Sequence, residues 1–140
     1  MYHDIVYDTY SPDNEEQSAA FAEAHLRQMN VNNALIGNVK RFIESAKDRI
    51  MPENLSLQND LSFFLDFDMA VLGVDEQMYK LYSEKIREEY ARYPDPIYRQ
   101  GRKLALQKVQ ALENIFFTEE FRQEMEQKAR ENINSEVNLL

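Results

Sequence analysis

Residues 63–72 read FFLDFDMAVL, and this stretch decides the fold prediction. Apolar side chains occupy nearly every position of it, and Gly73 follows as a residue that commonly ends a helix. A helix that is apolar nearly all round is buried inside a protein. The stretch therefore predicts a central, buried helix over Leu57–Leu72.

Helical periodicity continues on both sides of this segment. Apolar residues recur at spacings of three and four, and turn-forming residues separate the periodic stretches. The further predicted helices are Asp13–Met29, Ala34–Ile50, Asp75–Tyr93, Ile97–Glu113 and Glu119–Val137. Stretches with strand-like alternation are hard to find, so the predicted fold is all-α, a bundle of about six helices. A length of 140 residues fits one domain over 1–140.

Composition excludes several classes of protein. The chain has no cysteine, which excludes disulfides, thiolate zinc sites and cysteine nucleophiles. A net charge of −9 argues against a nucleic-acid polymer as partner. The three glycines form no phosphate-binding loop motif.

No membrane partner is expected, because no apolar run approaches the roughly 20 residues that span a bilayer. The first residues also lack the pattern of a signal peptide. These features predict a cytoplasmic protein.

His3 and Asp4 form the first candidate site. Neighbouring residues on a helix lie about 100° apart, so a metal beside the helix edge can contact both side chains. Imidazole and carboxylate together suit Zn, Fe, Mn or Ni better than Ca or Mg. The alternative is a histidine that is exposed or hydrogen-bonded near a chain end.

Asp66 and Asp68 form the second candidate site, because they interrupt the most apolar helix. A buried carboxylate is costly unless it is paired, hydrogen-bonded or bound to metal. The two side chains point about 200° apart on a helix, so at most one faces a given metal. The alternative is a salt bridge to Arg or Lys on a packing helix.

Several segments in order resemble the predicted metal-dependent phosphohydrolases of the HD superfamily. The first three are 2–8 (YHDIVYD), 13–19 (DNEEQSA) and 64–73 (FLDFDMAVLG). The later residues that agree are Tyr79, Tyr82, Ile86–Tyr90, Gly101, Arg102, Phe121 and Ala129–Asn132. The resemblance spans nearly the whole chain, and it lies in the order and spacing of the motifs.

The resemblance implies a helical HD domain that hydrolyses a phosphate ester, with nucleotides among the candidate substrates. It implies a divalent metal ion (Mn, Fe, Ni, Zn or Mg) held by an upstream histidine, a His-Asp pair and a downstream aspartate. His3 and Asp4 match the pair, and Asp68 matches the downstream ligand. Asp66 is then a supporting or structural carboxylate.

Further charged residues are candidates for catalysis and substrate binding. Besides Asp4, Glu15 and Glu16 are candidates for orienting the water or a ligand; alternatively they are favourable charges at a helix start. Cations neutralise phosphate oxygens in such reactions. The candidate cations are Lys47, Arg49, Arg87 and Arg102; alternatively each is a surface or salt-bridging residue.

The chain departs from the family in two places. Only Met1 and Tyr2 precede the His-Asp pair, so the family's N-terminal helices and first metal-binding histidine have no counterpart. His25 is expected to be exposed and does not match that ligand, and Arg49 stands where the family tends to have a histidine. Loss of covering helices would expose apolar surface and favour a homo-oligomer, most simply a dimer. The alternative function is a non-catalytic HD-like protein that acts through self-association or partner binding.

Overall fold

The structure is a computed structural model, and it describes residues 2–8, 11–49 and 55–140. Within these ranges every regular element is helical, so the chain is all-α. The α-helices are α1 (Asn14–Gln28), α2 (Asn33–Asp48), α3 (Leu55–Met69), α4 (Glu76–Glu89), α5 (Asp95–Gln110), α6 (Glu119–Phe121) and α7 (Gln127–Leu139). Two 3-10 turns are Tyr2–Asp4 and Ala70–Gly73, and a π-helical segment, Arg122–Glu126, joins α6 to α7.

The six predicted helices are confirmed, with the segment from α6 to α7 counted as one. The predicted end of the second helix at Ile50 lies outside the described residues. Capping side chains determine where several helices begin. Asn32 accepts a hydrogen bond from the backbone N–H of Leu35 at the start of α2. Asp75 accepts bonds from two backbone N–H groups at the start of α4. Such caps satisfy backbone donors that the helix itself leaves unpaired.

The chain forms two compact units, of which the first ends at Phe64 and the second begins at Leu65. In the first unit, α1 packs on α2 and on the 3-10 turn Tyr2–Asp4. Small side chains on α1 allow this packing; the buried residues of this core are Ala19, Ala22 and Ile43. In the second unit the buried core consists of Leu72, Tyr79, Leu106, Ile115, Phe116, Ala129 and Ile133.

The prediction that the third helix is buried all round is wrong. Leu61 and Leu65 on α3 are buried, but Phe63 is 39% exposed and Phe67 is 63% exposed. Positions 63 and 67 lie about 200° from positions 61 and 65, on the opposite face of the helix. α3 therefore has one buried face, although its composition is apolar on both.

Gly73 has a packing role that the sequence did not indicate. A Cβ added at Gly73 would lie 2.6 Å from the Cβ of Met125 and 3.1 Å from its carbonyl oxygen. The 3-10 turn Ala70–Gly73 therefore approaches the π-helical segment closely, and only glycine leaves room. Asn132 supports the same turn, because its side-chain amide donates to the carbonyls of Leu72 and Val74.

We predict that Gly73→Ala lowers the free energy of unfolding by about 2 kcal/mol, because an overpacked contact forces backbone shifts. Urea denaturation followed by circular dichroism measures the change. Gly101→Ala is the matched control, since an added Cβ there meets no atom within 4 Å in the part of the chain that is described. Alanine is favoured over glycine inside a helix by about 1 kcal/mol, so the control keeps or gains stability. Equal stability of the two variants would contradict the packing role of Gly73.

Candidate metal site

The 3-10 turn Tyr2–Asp4 brings the imidazole of His3 and the carboxylate of Asp4 together. His3 Nε2 lies 2.8 Å from Asp4 Oδ2. The His3 side chain is 11% exposed and that of Asp4 is 66% exposed. The His3 ring meets the ring of Phe64 edge-on, with centroids 5.5 Å apart. The pair therefore combines a mostly buried imidazole nitrogen with an accessible carboxylate oxygen.

Two polar residues of α1 hold the backbone that follows this turn. The buried hydroxyl of Ser18 accepts from the N–H of Val6 at 3.1 Å and donates to its carbonyl at 3.3 Å. Asn14 does the same at Asp8, accepting at 2.9 Å and donating at 2.8 Å. Residues 14 and 18 are four apart and share one face of the helix. The motif 13–19 therefore holds the non-helical backbone that follows the His-Asp pair.

His25 supports the same turn from α1. Its Nδ1 lies 2.6 Å from the hydroxyl oxygen of Tyr2, and the two rings meet edge-on. His25 is exposed, as predicted. Tyr2, which precedes the candidate ligands, is therefore also held against α1.

The chemistry of the His3–Asp4 pair suits a divalent metal. Nitrogen and carboxylate oxygen ligands each lie about 2.0–2.2 Å from zinc, so two ligands of a tetrahedral site are roughly 3.4 Å apart. The 2.8 Å separation of His3 Nε2 and Asp4 Oδ2 is shorter than that spacing and is the distance of a direct hydrogen bond, as the alternative interpretation of His3 expected. The donor atoms fit Mn, Fe, Ni or Zn.

The two carboxylates of α3 have different environments. Asp66 is completely buried and accepts three hydrogen bonds, from the N–H of Phe117 at 2.7 Å and from the N–H and hydroxyl of Thr118, both at 2.8 Å. Thr118 in turn caps α6. Asp66 therefore fixes the loop before α6. Asp68 is exposed and lines a pocket of the second unit together with Tyr82 and Arg102.

Glu16 and Lys47, two predicted site residues, contact each other. Lys47 Nζ lies 2.8 Å from Glu16 Oε1 and donates to the carbonyl of Pro12 at 2.7 Å. The hydrogen bond from Lys47 lowers the pKa of Glu16 below its usual value. A carboxylate with a lowered pKa is a weaker proton acceptor. Glu15, beside it in the first turn of α1, is half-buried.

Arg87 has structural partners. Its guanidinium binds the carboxylate of Asp95, at 2.6 and 3.2 Å, and the carbonyls of Tyr90 and Tyr93. These contacts hold the turn between α4 and α5. Arg49 ends α2 in the left-handed region, with φ of 53°.

Arg102 forms a salt bridge, as the alternative interpretation expected, with a partner that the sequence did not identify. Its Nε and Nη2 bind both carboxylate oxygens of Glu136, at 2.8 and 3.1 Å, and each side chain is only 11% exposed. Tyr79 donates its hydroxyl to Glu136 at 2.5 Å, and burial followed by this bond raises the pKa of Tyr79. In the sequence, the only indication of this partner was that Glu136 lies on the apolar face of the last predicted helix.

Comparisons with known proteins return no relative: the chain matches no protein-family model, no curated protein and no solved structure. Among the described residues, no helix combines the length and the apolar character needed to cross a bilayer.

Proposed function

We propose that the chain is a metal-dependent phosphohydrolase with an HD-type helical architecture. The observation that supports this most is the His3–Asp4 pair, with donor atoms 2.8 Å apart on a turn that is held in place. The hydrogen bonds from Ser18 and Asn14 to the backbone of Val6 and Asp8 support it further, because they hold the segment that directly follows the pair.

His3, Asp4 and Asp68 are the proposed protein ligands. The first two come from the observed pair, and the resemblance to the HD superfamily adds Asp68, which is exposed. Asp66 is unsuited to this role, since three hydrogen bonds already occupy its carboxylate. Three protein ligands leave positions open for substrate and water.

The metal, when bound, polarises a phosphoryl oxygen and lowers the pKa of a water molecule. The chain supplies proton transfer and orientation. Asp4 is 66% exposed, so one of its carboxylate oxygens would hold the metal while the other takes a proton from the attacking water. Glu15 orients that water better than Glu16, whose charge is engaged by Lys47.

A hydrolysis assay tests this function. The protein is stripped with a chelator, and Mn²⁺, Fe²⁺, Ni²⁺, Zn²⁺ or Mg²⁺ is then added back in separate assays with p-nitrophenyl phosphate and nucleoside monophosphates. We expect turnover that at least one ion restores and that the chelator abolishes. Hydrolysis that is absent with every ion would contradict the proposal and favour the non-catalytic alternative.

A further inference from the structure

We draw no further inference here: the strongest candidate, the exposed apolar face of α5 that carries Ile97, Gly101 and Leu104, supports no proposal because nothing within the described residues (2–8, 11–49 and 55–140) shows what covers it.

Discussion

Replacing Asp66 with alanine should lower the free energy of unfolding by about 4 kcal/mol, the largest stability loss expected of a single change in this chain. The Asp66 carboxylate is completely buried and accepts three hydrogen bonds from Phe117 and Thr118. The alanine variant leaves these donors without their acceptor and opens a cavity. Urea denaturation followed by circular dichroism measures the loss.

Asp68→Ala is the control, because it removes the same carboxylate two residues away. Asp68 is exposed, and surface substitutions usually change stability by less than about 0.5 kcal/mol. Asp66→Asn adds a finer comparison, since the amide keeps one acceptor oxygen but places an NH₂ group against a donor. The loss of unfolding free energy in Asp66→Asn should fall between those in Asp66→Ala and Asp68→Ala. Similar losses in Asp66→Ala and Asp68→Ala would contradict the structural role of Asp66.

Replacing Asp4 with asparagine should reduce metal-dependent hydrolysis at least about 100-fold, since residues that only support a ligand are already worth 10–100-fold. The change keeps the size of the side chain and removes both the negative charge and the proton acceptor. Asp4 is 66% exposed, so its contact with His3 adds little to stability and the variant should remain folded. Hydrolysis rates with the activating ion, measured together with thermal unfolding of the same variant, separate a loss of activity from a loss of stability.

Asp60→Asn is the matched control for this prediction. Asp60 is an exposed aspartate of α3, in the first unit like Asp4. The variant carries the same change of charge and should keep the wild-type rate. A rate in Asp4→Asn within about twofold of that in Asp60→Asn would remove Asp4 from the mechanism, because replacing a metal ligand lowers the rate far more than twofold.

Helical periodicity predicted the number and the approximate bounds of the helices, because a helix repeats its buried positions locally. Burial was less predictable. Phe63 and Phe67 look like core residues, yet they are exposed because Leu61 and Leu65 occupy the buried face of α3. A sequence that is apolar on both faces does not show which face is covered.

The sequence predicted only the part of the candidate site whose residues are neighbours along the chain. His3 and Asp4 are neighbours, and their proximity follows from the sequence itself. The difference between Asp66 and Asp68 depends on Phe117 and Thr118, about fifty residues away along the chain. Contacts over such separations leave no periodic signal.

The predicted cations show the same limit. Arg87 and Arg102 were candidates for binding phosphate, but their carboxylate partners, Asp95 and Glu136, could not be identified from charge alone. A cation that holds a turn and a cation that binds substrate look alike in a sequence. In the structure both are occupied, Arg87 by Asp95 and backbone carbonyls and Arg102 by Glu136.

The metal content of the purified protein tests the central claim most directly. The protein is loaded with Mn²⁺, Fe²⁺, Ni²⁺ or Zn²⁺, dialysed, and analysed for bound metal per chain, together with His3→Gln, Asp4→Asn and Asp68→Asn. We predict about one ion per wild-type chain, and strong loss of that ion in each variant, because every protein ligand is needed for tight binding. A wild-type chain that retains no ion, or variants that retain it as the wild type does, would contradict a metal site at His3 and Asp4.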